Sequence, residues 1–391
     1  MVKLIALLSP MYVTFFWGIS FFLQKKSNNK ATQILSNFMF TAFLLYFSHF
    51  LYFIEQYELY SFFESVYILA LLSMYPLFYF YVRELSTAKI ENRSNFLHFL
   101  PALILSSLAL ALNLFLTPAE RIDYVKELLI ERNLKNFTLH SVEGFKALVF
   151  LISRVIFVGH TVLYLFLGIR LADEHNRKII QYYSNLEGRS MSWVKSLSIF
   201  YLFASVVAIV FSVVGRSYFA QNGIMLIIPS IIFTAMYFLL GLNGSRHVSI
   251  SEELVDHTSE YFEFDEIDLS QEKKLQKQLL DIFENDKIYM HPDLRITTVA
   301  EVLRTNRTYI SRLINDDFGM NFNEFVNKYR VQEAERLLSC KDNHQYTIEY
   351  IAEKSGFGNT NSFTRSFKEF NGITPGQYRL NCQKQMEHSK A

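Results

Sequence analysis

Two short stretches in the last hundred residues hold side chains suited to hydrogen bonding with nucleic-acid bases. In the second, Phe363, Phe367 and Phe370 recur at i, i+4 and i+7, an apolar stripe on one helical face. Thr360, Asn361, Thr364, Arg365 and Lys368 then face the other way. An arginine fork, an amide and hydroxyls are the groups that read base edges in a major groove, whereas a lysine near the helix end suits a phosphate. Arg365, Asn361 and Thr360 are therefore the expected base readers. Upstream, Ile310, Leu313 and Ile314 leave Arg307, Thr308, Ser311 and Arg312 outward in the same manner.

A second group of reactive side chains lies inside long apolar runs, where ionisable residues mark function or partnership. Arg154 falls near the middle of one run, and His49, Glu64 and Asn113 fall near the ends of three others. His160 lies deeper. The expectation is a shared polar pocket, open to the exterior, in which Arg154 and Glu64 meet and a small anionic or polar ligand binds; hydrogen bonding between helices is the alternative. No metal-ligand spacing, phosphate-cradling glycine loop or nucleophile elbow is present, so the expectation is a chain that is not an enzyme and needs no cofactor. Both cysteines, Cys340 and Cys382, lie in the C-terminal part, where reduced thiols are expected.

The elements around the first group can be read from the pattern. Ile348, Ile351 and Ala352 stripe a short helix, Ser355-Gly356-Phe357-Gly358 permits a sharp turn, and Asn359 offers an N-cap to the next helix. The upstream copy runs through Ile296, Val299, Ala300 and Leu303, turns at Arg304-Thr305-Asn306 without a glycine, and enters its second helix. Between them Phe322 to Ser339 reads as one amphipathic helix of roughly 27 Å, a length that suits two reading helices in successive major-groove faces about 34 Å apart.

Ile351-Ala352, Gly356-Phe357, Ser362-Phe363, Arg365, Phe367-Lys368, the closing Gly372-Ile373-Thr374-Pro375 and Tyr378-Arg379 resemble the double helix-turn-helix domain of the AraC/XylS transcription regulators of bacteria. The resemblance covers about the last hundred residues. It implies sequence-specific binding of double-stranded DNA, with the outward residues of both second helices reading bases. From His291 to Ala391 there are 14 Lys and Arg against 12 Asp and Glu, so segregation of charge by face, not net charge, must serve the phosphates.

The rest of the chain is of another kind. Hydrophobic residues make up 51% of the 391, and the 38 Phe and 23 Tyr crowd into the first 243 positions. Seven apolar runs are legible: Leu4–Leu23, Ile34–Ile54, Phe62–Val82, Phe96–Leu116, Phe145–Ile169, Leu197–Val214 and Ile224–Leu242. Most are long enough to cross a hydrocarbon layer of about 30 Å as helix. The first run lacks a cleavage motif before its basic cluster and is read as a membrane helix, not a signal peptide. Links after runs one, three and five carry eleven Lys and Arg, against five in the others. The positive-inside rule then places the richer side in the cytoplasm and the N-terminus outside. In the link 117–144, Thr117-Pro118-Ala119-Glu120 is a capping box that opens an amphipathic helix to about Arg132.

Residues 251–286 hold twelve acids against three lysines, a solvated connector whose Gln271–Phe283 half has helical register. The expected architecture is all-α: a seven-helix transmembrane bundle over 1–243, an acidic cytoplasmic linker over 244–285, and a double helix-turn-helix domain over 286–385. The implied protein is a multi-pass inner-membrane transcription regulator. Its partners are double-stranded DNA, membrane lipid and a small-molecule ligand from outside, with a homodimer left open. A transporter or channel with a regulatory DNA-binding tail is the alternative, and it predicts repeat symmetry that is not visible in the runs.

Overall fold

A computed structural model of the chain describes residues 2–24, 30–86, 95–131, 141–214, 223–246, 269–340 and 345–388. Every named element among them is helical. The chain forms two compact units, Met1–His175 with Met191–Val255, and Asn176–Ser190 with Asp256–Ala391.

The first unit contains α1 (Val2–Leu23), α2 (Lys30–Phe53), α3 (Tyr57–Leu85), α4 (Leu100–Leu114), α5 (Pro118–Asp123), most of α6 (Val142–Tyr182), α7 (Ser192–Val214) and α8 (Gly223–Arg246). Six described helices are long and apolar enough to cross a membrane: Leu4–Leu23, Lys30–Phe53, Tyr57–Leu85, Asn95–Leu114, Val142–Tyr182 and Ile227–Ser245. The expected count of seven is thus corrected to six. The run Leu197–Val214 is helical within α7, of which Ser192–Val207 is the apolar stretch among the described residues, shorter than the other six.

α3 is the central helix. Its most apolar window is 83% buried, against 28% for that of Asn95–Leu114. The outer helices instead present large apolar side chains outward, among them Phe16, Ile104, Val155, Phe166 and Ile199. Helices that are apolar on all sides suit the core of a large protein or a membrane span. Where α1 meets α8, a Cβ on Gly241 would lie 2.2 Å from the Trp17 ring, so only glycine permits the approach. Pro10 within α1 lacks the N–H that would bond Ala6 O, and Ser230 Oγ from α8 donates to that carbonyl instead.

The capping box at Thr117 forms as expected: Thr117 N donates to Glu120 Oε2 at 2.7 Å and Glu120 N to Thr117 Oγ1 at 3.4 Å. Beyond α5 the chain continues as a π-helix over Tyr124–Glu131, which buries Tyr124 beside Val125 and Leu129.

The second unit holds α9 (Leu269–Glu284), α10 (Ile296–Val302), α11 (Arg307–Phe318), α12 (Phe322–Ser339), α13 (Ile348–Lys354), α14 (Thr360–Asn371) and α15 (Pro375–His388). α12 has the expected bounds and opens with a capping box between Asn321 and Glu324. α9 covers the helical half of the acidic connector, while 247–268 lie outside the described residues.

Candidate nucleic-acid interface

Each outward-facing polar helix is built by its caps and its buried stripe. Asn306 Oδ1 accepts from Tyr309 N at 3.0 Å and starts α11; Asn359 Oδ1 accepts from Ser362 N at 2.7 Å and starts α14. Such caps stabilise a helix by about 1 kcal/mol. Both helices end at a left-handed glycine, Gly319 at φ +64 and Gly372 at φ +73. Ile310, Leu313 and Ile314 are buried under α11. Under α14, Phe363 and Phe367 join Phe357, Ile351, Val331 and Leu338 in one core. Phe370 departs from the expected stripe: it lies in the last turn, beyond this core, and is exposed.

The two turns solve one geometric problem differently. The second has Gly356 at φ +89, and a Cβ there would sit 2.7 Å from Tyr289 O and Met290 Cα. The first places Arg304 at φ +54. For a non-glycine residue that conformation costs about 1–2 kcal/mol.

On α14, Asn361, Arg365 and Lys368 are exposed, with Thr360 and Thr364 half-buried beside them. On α11, Thr308 and Arg312 are exposed and Arg307 and Ser311 half-buried. Arg312 Nε lies 3.3 Å from Asp316 Oδ2, one turn on, and Ser311 Oγ accepts from Asn315 Nδ2 at 3.5 Å. Each half therefore presents amide, hydroxyl and guanidinium groups on one solvent-facing side of a short, capped helix.

The family described as "Helix-turn-helix domain" matches residues 299–381, which take in both turns and both polar helices. Residues 299–381 are an AraC-type helix-turn-helix domain. Among curated relatives, the uncharacterized HTH-type transcriptional regulator YtdP of Bacillus subtilis (strain 168) is 32% identical over 110 residues, 28% of this chain and 14% of its own length. The uncharacterized HTH-type transcriptional regulator SACOL0084 of Staphylococcus aureus (strain COL) is 32% identical over 93 residues, 24% of this chain and 12% of its own. The chain thus spans about an eighth of the length of the curated relatives it matches. Among solved structures, the C-terminal domain of AraT, a response regulator from Geobacillus stearothermophilus, shares 28% identity over 28% of this chain and 84% of that one, with a TM-score of 0.24.

The AraC-type domain has two features that the sequence did not disclose. Arg330, on the inner face of α12, is almost fully buried. Its Nε donates to Tyr289 O at 2.8 Å, and its Nη2 to His291 O at 2.6 Å and Ser184 Oγ at 3.0 Å. Burial pushes its pKa down to about 9, so it remains a cation at neutral pH, held by carbonyl oxygens. Nearby, Glu333 bonds Arg336 Nη2 at 2.7 Å and lies 3.4 Å from Lys287 Nζ. The hydrogen bond from Arg336 is the main cause that holds its carboxyl below the ordinary range.

The second feature is the segment Asn176–Ser190, which packs within this unit although it lies far away in sequence. Tyr183 forms an antiparallel bridge with Arg295. Ser184 N donates to Leu294 O at 3.1 Å, and Asn323 Nδ2 donates to Ser184 O at 2.7 Å. Arg189 reaches Asp293 at 3.3 Å. The segment also touches the start of both polar helices. Asn359 Nδ2 donates to Glu187 Oε2, and the Arg307 guanidinium lies 6.0 Å from the centre of the Tyr182 ring. Glu187 and the basic residues around it look like ordinary loop composition, so no periodic signal exposes this contact.

In the first unit the four polar candidates separate into two sites. Glu64 and Asn113 share a buried cluster with Lys146, which the sequence reading had absorbed into an apolar run. Lys146 Nζ lies 3.1 Å from Glu64 Oε2 and donates to Asn113 Oδ1 at 2.6 Å and Ser61 Oγ at 2.9 Å. Tyr124 donates its hydroxyl to Glu64 Oε1 at 3.0 Å. Arg154 and His49 instead line a separate cavity of about 460 Å³, to which neither Glu64 nor Asn113 contributes. The expected pocket shared by Arg154 and Glu64 is therefore not what the chain forms. Among the described residues no group of three or more His, Cys, Asp or Glu is placed to hold a metal ion.

Proposed function

We propose that this protein is a membrane-bound transcription regulator that binds specific DNA sequences and couples a signal received by its apolar bundle to gene expression. The observation that carries the reading is the AraC-type domain with two capped helices that present polar faces to solvent, joined in one chain to helices apolar enough to cross a membrane. Phosphate contacts position such a domain and give its salt dependence; contacts from Arg365, Asn361 and Thr360, and from Arg312, Ser311 and Thr308, select the sequence. Arg307, Thr364 and Lys368 complete the surface. The bundle lies in the cytoplasmic membrane and holds the DNA-binding domain on the cytoplasmic side. The asymmetry of Lys and Arg between alternate links supports this orientation.

Coupling runs through Asn176–Ser190. This segment is continuous in sequence with α6 and α7, yet its Glu187 and Tyr182 meet Asn359 and Arg307, the residues at the start of the two reading helices. Helix N-termini are anion sites, where a DNA phosphate also binds. A carboxylate already placed at the start of α14 competes with that phosphate, so displacement of the segment favours DNA.

Genome-wide mapping of the DNA bound by this protein in its own cells, together with fractionation of membranes, tests the proposal. Discrete bound sites with the protein in the membrane fraction are expected. Recovery of the intact chain only from the soluble fraction, or binding without discrete sites, removes it.

A further inference from the structure

The cavity beside Arg154 is formed wholly by residues of the first unit. Its volume of about 460 Å³ falls within the range of small-molecule sites. Aliphatic and aromatic side chains make most of the wall, with Leu71, Met74, Phe157 and Phe233 among them. Of its few polar groups, some are satisfied by one another: the Tyr75 hydroxyl bonds Ser205 Oγ, and Tyr46 bonds Tyr237. Two are not. The Tyr201 hydroxyl and the Nε and Nη2 of Arg154 are buried without an acceptor.

Charge makes the same point. No Asp or Glu lines the cavity. The buried carboxylate of Glu64 is matched by Lys146 and Tyr124 in the other cluster, so it does not neutralise Arg154. The guanidinium is nevertheless well fixed, with its carbon 4.2 Å from the centre of the Phe150 ring and 4.7 Å from that of Tyr67. Ring faces stabilise a cation and leave its N–H edge free. Nε and Nη2 form the side-on edge of the guanidinium fork, which binds two oxygens of one anion in parallel.

The geometry points to this cavity as the binding site of a mostly apolar molecule that carries one anionic oxygen group. The anion meets Arg154 Nε and Nη2, and the apolar body fills the aromatic and aliphatic space. One unmatched cation calls for one negative charge, and the scarcity of other free polar groups excludes a sugar or a nucleotide, whose many hydroxyls would be left unpaired. A free fatty carboxylate and a lipid phosphate share this chemistry. The inference rests on the reading of the bundle as a receiver of signals only for its consequence in the cell, because binding is measured without reference to DNA.

Equilibrium binding to the purified full-length protein in an uncharged detergent tests it, with labelled dodecanoate, dodecyl phosphate and dodecanol as probes. At least one of the two anions should bind saturably and about tenfold or more tighter than the alcohol of the same length. Tighter binding of the carboxylate identifies a fatty acid as the natural class; tighter binding of the phosphate identifies a lipid headgroup. Arg154→Gln should remove this preference for the anion, and Arg154→Lys should retain part of it, since the charge stays but the fork is lost. Equal binding of alcohol and anions to the natural protein overturns the inference, as does an Arg154→Gln protein that keeps the preference. The wild-type comparison decides the matter even if Arg154→Gln fails to fold. Failure here leaves DNA binding by the C-terminal domain untouched.

Discussion

Lys146 Nζ lies 3.1 Å from Glu64 Oε2, with 1% of either side chain exposed. The pair joins the start of α6 to the first third of α3, and the ring of Tyr124, from the π-helical turn, lies 4.2 Å from the ammonium. Loss of one member of a buried pair leaves the other charge without a partner, at about 3–5 kcal/mol, while replacement of both by apolar residues is often neutral. Glu64→Leu and Lys146→Met are each expected to lower the thermal midpoint of the detergent-solubilised protein, and the double variant to recover most of the loss. Additive losses in the double variant would refute a direct pairing.

DNA reading divides between Arg365 and Lys368, both exposed on α14. Arg365→Ala should cost about 1–3 kcal/mol at a specific site and much less on random duplex. Lys368→Ala should weaken all sequences about equally and flatten the salt dependence. Competition binding on specific and random duplexes separates the two. A uniform loss from Arg365→Ala means that it contacts phosphate.

Glu187 and Asn359 make the coupling testable. In the full-length protein Glu187→Ala should raise affinity for a specific duplex by about threefold or more, the worth of a modest charged hydrogen bond. A fragment of 269–391, which lacks Glu187, should bind at least as tightly as the variant. If Glu187→Ala weakens DNA binding, the segment supports the interface instead of competing for it.

The two turns give opposite expectations for stability. Arg304→Gly relieves a left-handed residue and should stabilise the domain by up to about 1 kcal/mol after the entropy that glycine adds to the unfolded chain. Gly356→Ala forces a Cβ to within 2.7 Å of Tyr289 O and Met290 Cα, and should destabilise it. Urea unfolding of fragment 269–391 measures both, and a stabilising Gly356→Ala would show that the α13–α14 turn tolerates other packing.

Acid should weaken the domain at Glu333. Its folded pKa is depressed, chiefly by the Arg336 hydrogen bond, so its contribution is present above the ordinary carboxylate range and is lost as the pH falls through the lower folded value. Glu333→Gln should flatten that part of the stability profile of the same fragment. An unchanged acid limb assigns it to other carboxylates.

What the sequence determined by itself is whatever repeats locally. The helices around Phe363 and Ile310, their asparagine caps, the capping boxes and the full extent of Phe322–Ser339 follow from periodicity and from caps only a few residues away. The apolar runs follow from composition, and six of the described helices reach the length that crosses a membrane. Only the tertiary structure decided which distant polar groups meet. Glu64 lies 3.1 Å from Lys146 and not beside Arg154, because a carboxylate in an apolar bundle goes to whichever cation the packing of α3, α4 and α6 brings within reach. Arg154 was thereby left to face a cavity, and Glu187 came to rest on Asn359, 172 residues away. Partner choice over such separations has no sequence period; it is set by burial and by the cost of leaving a charge or a helix end unsatisfied.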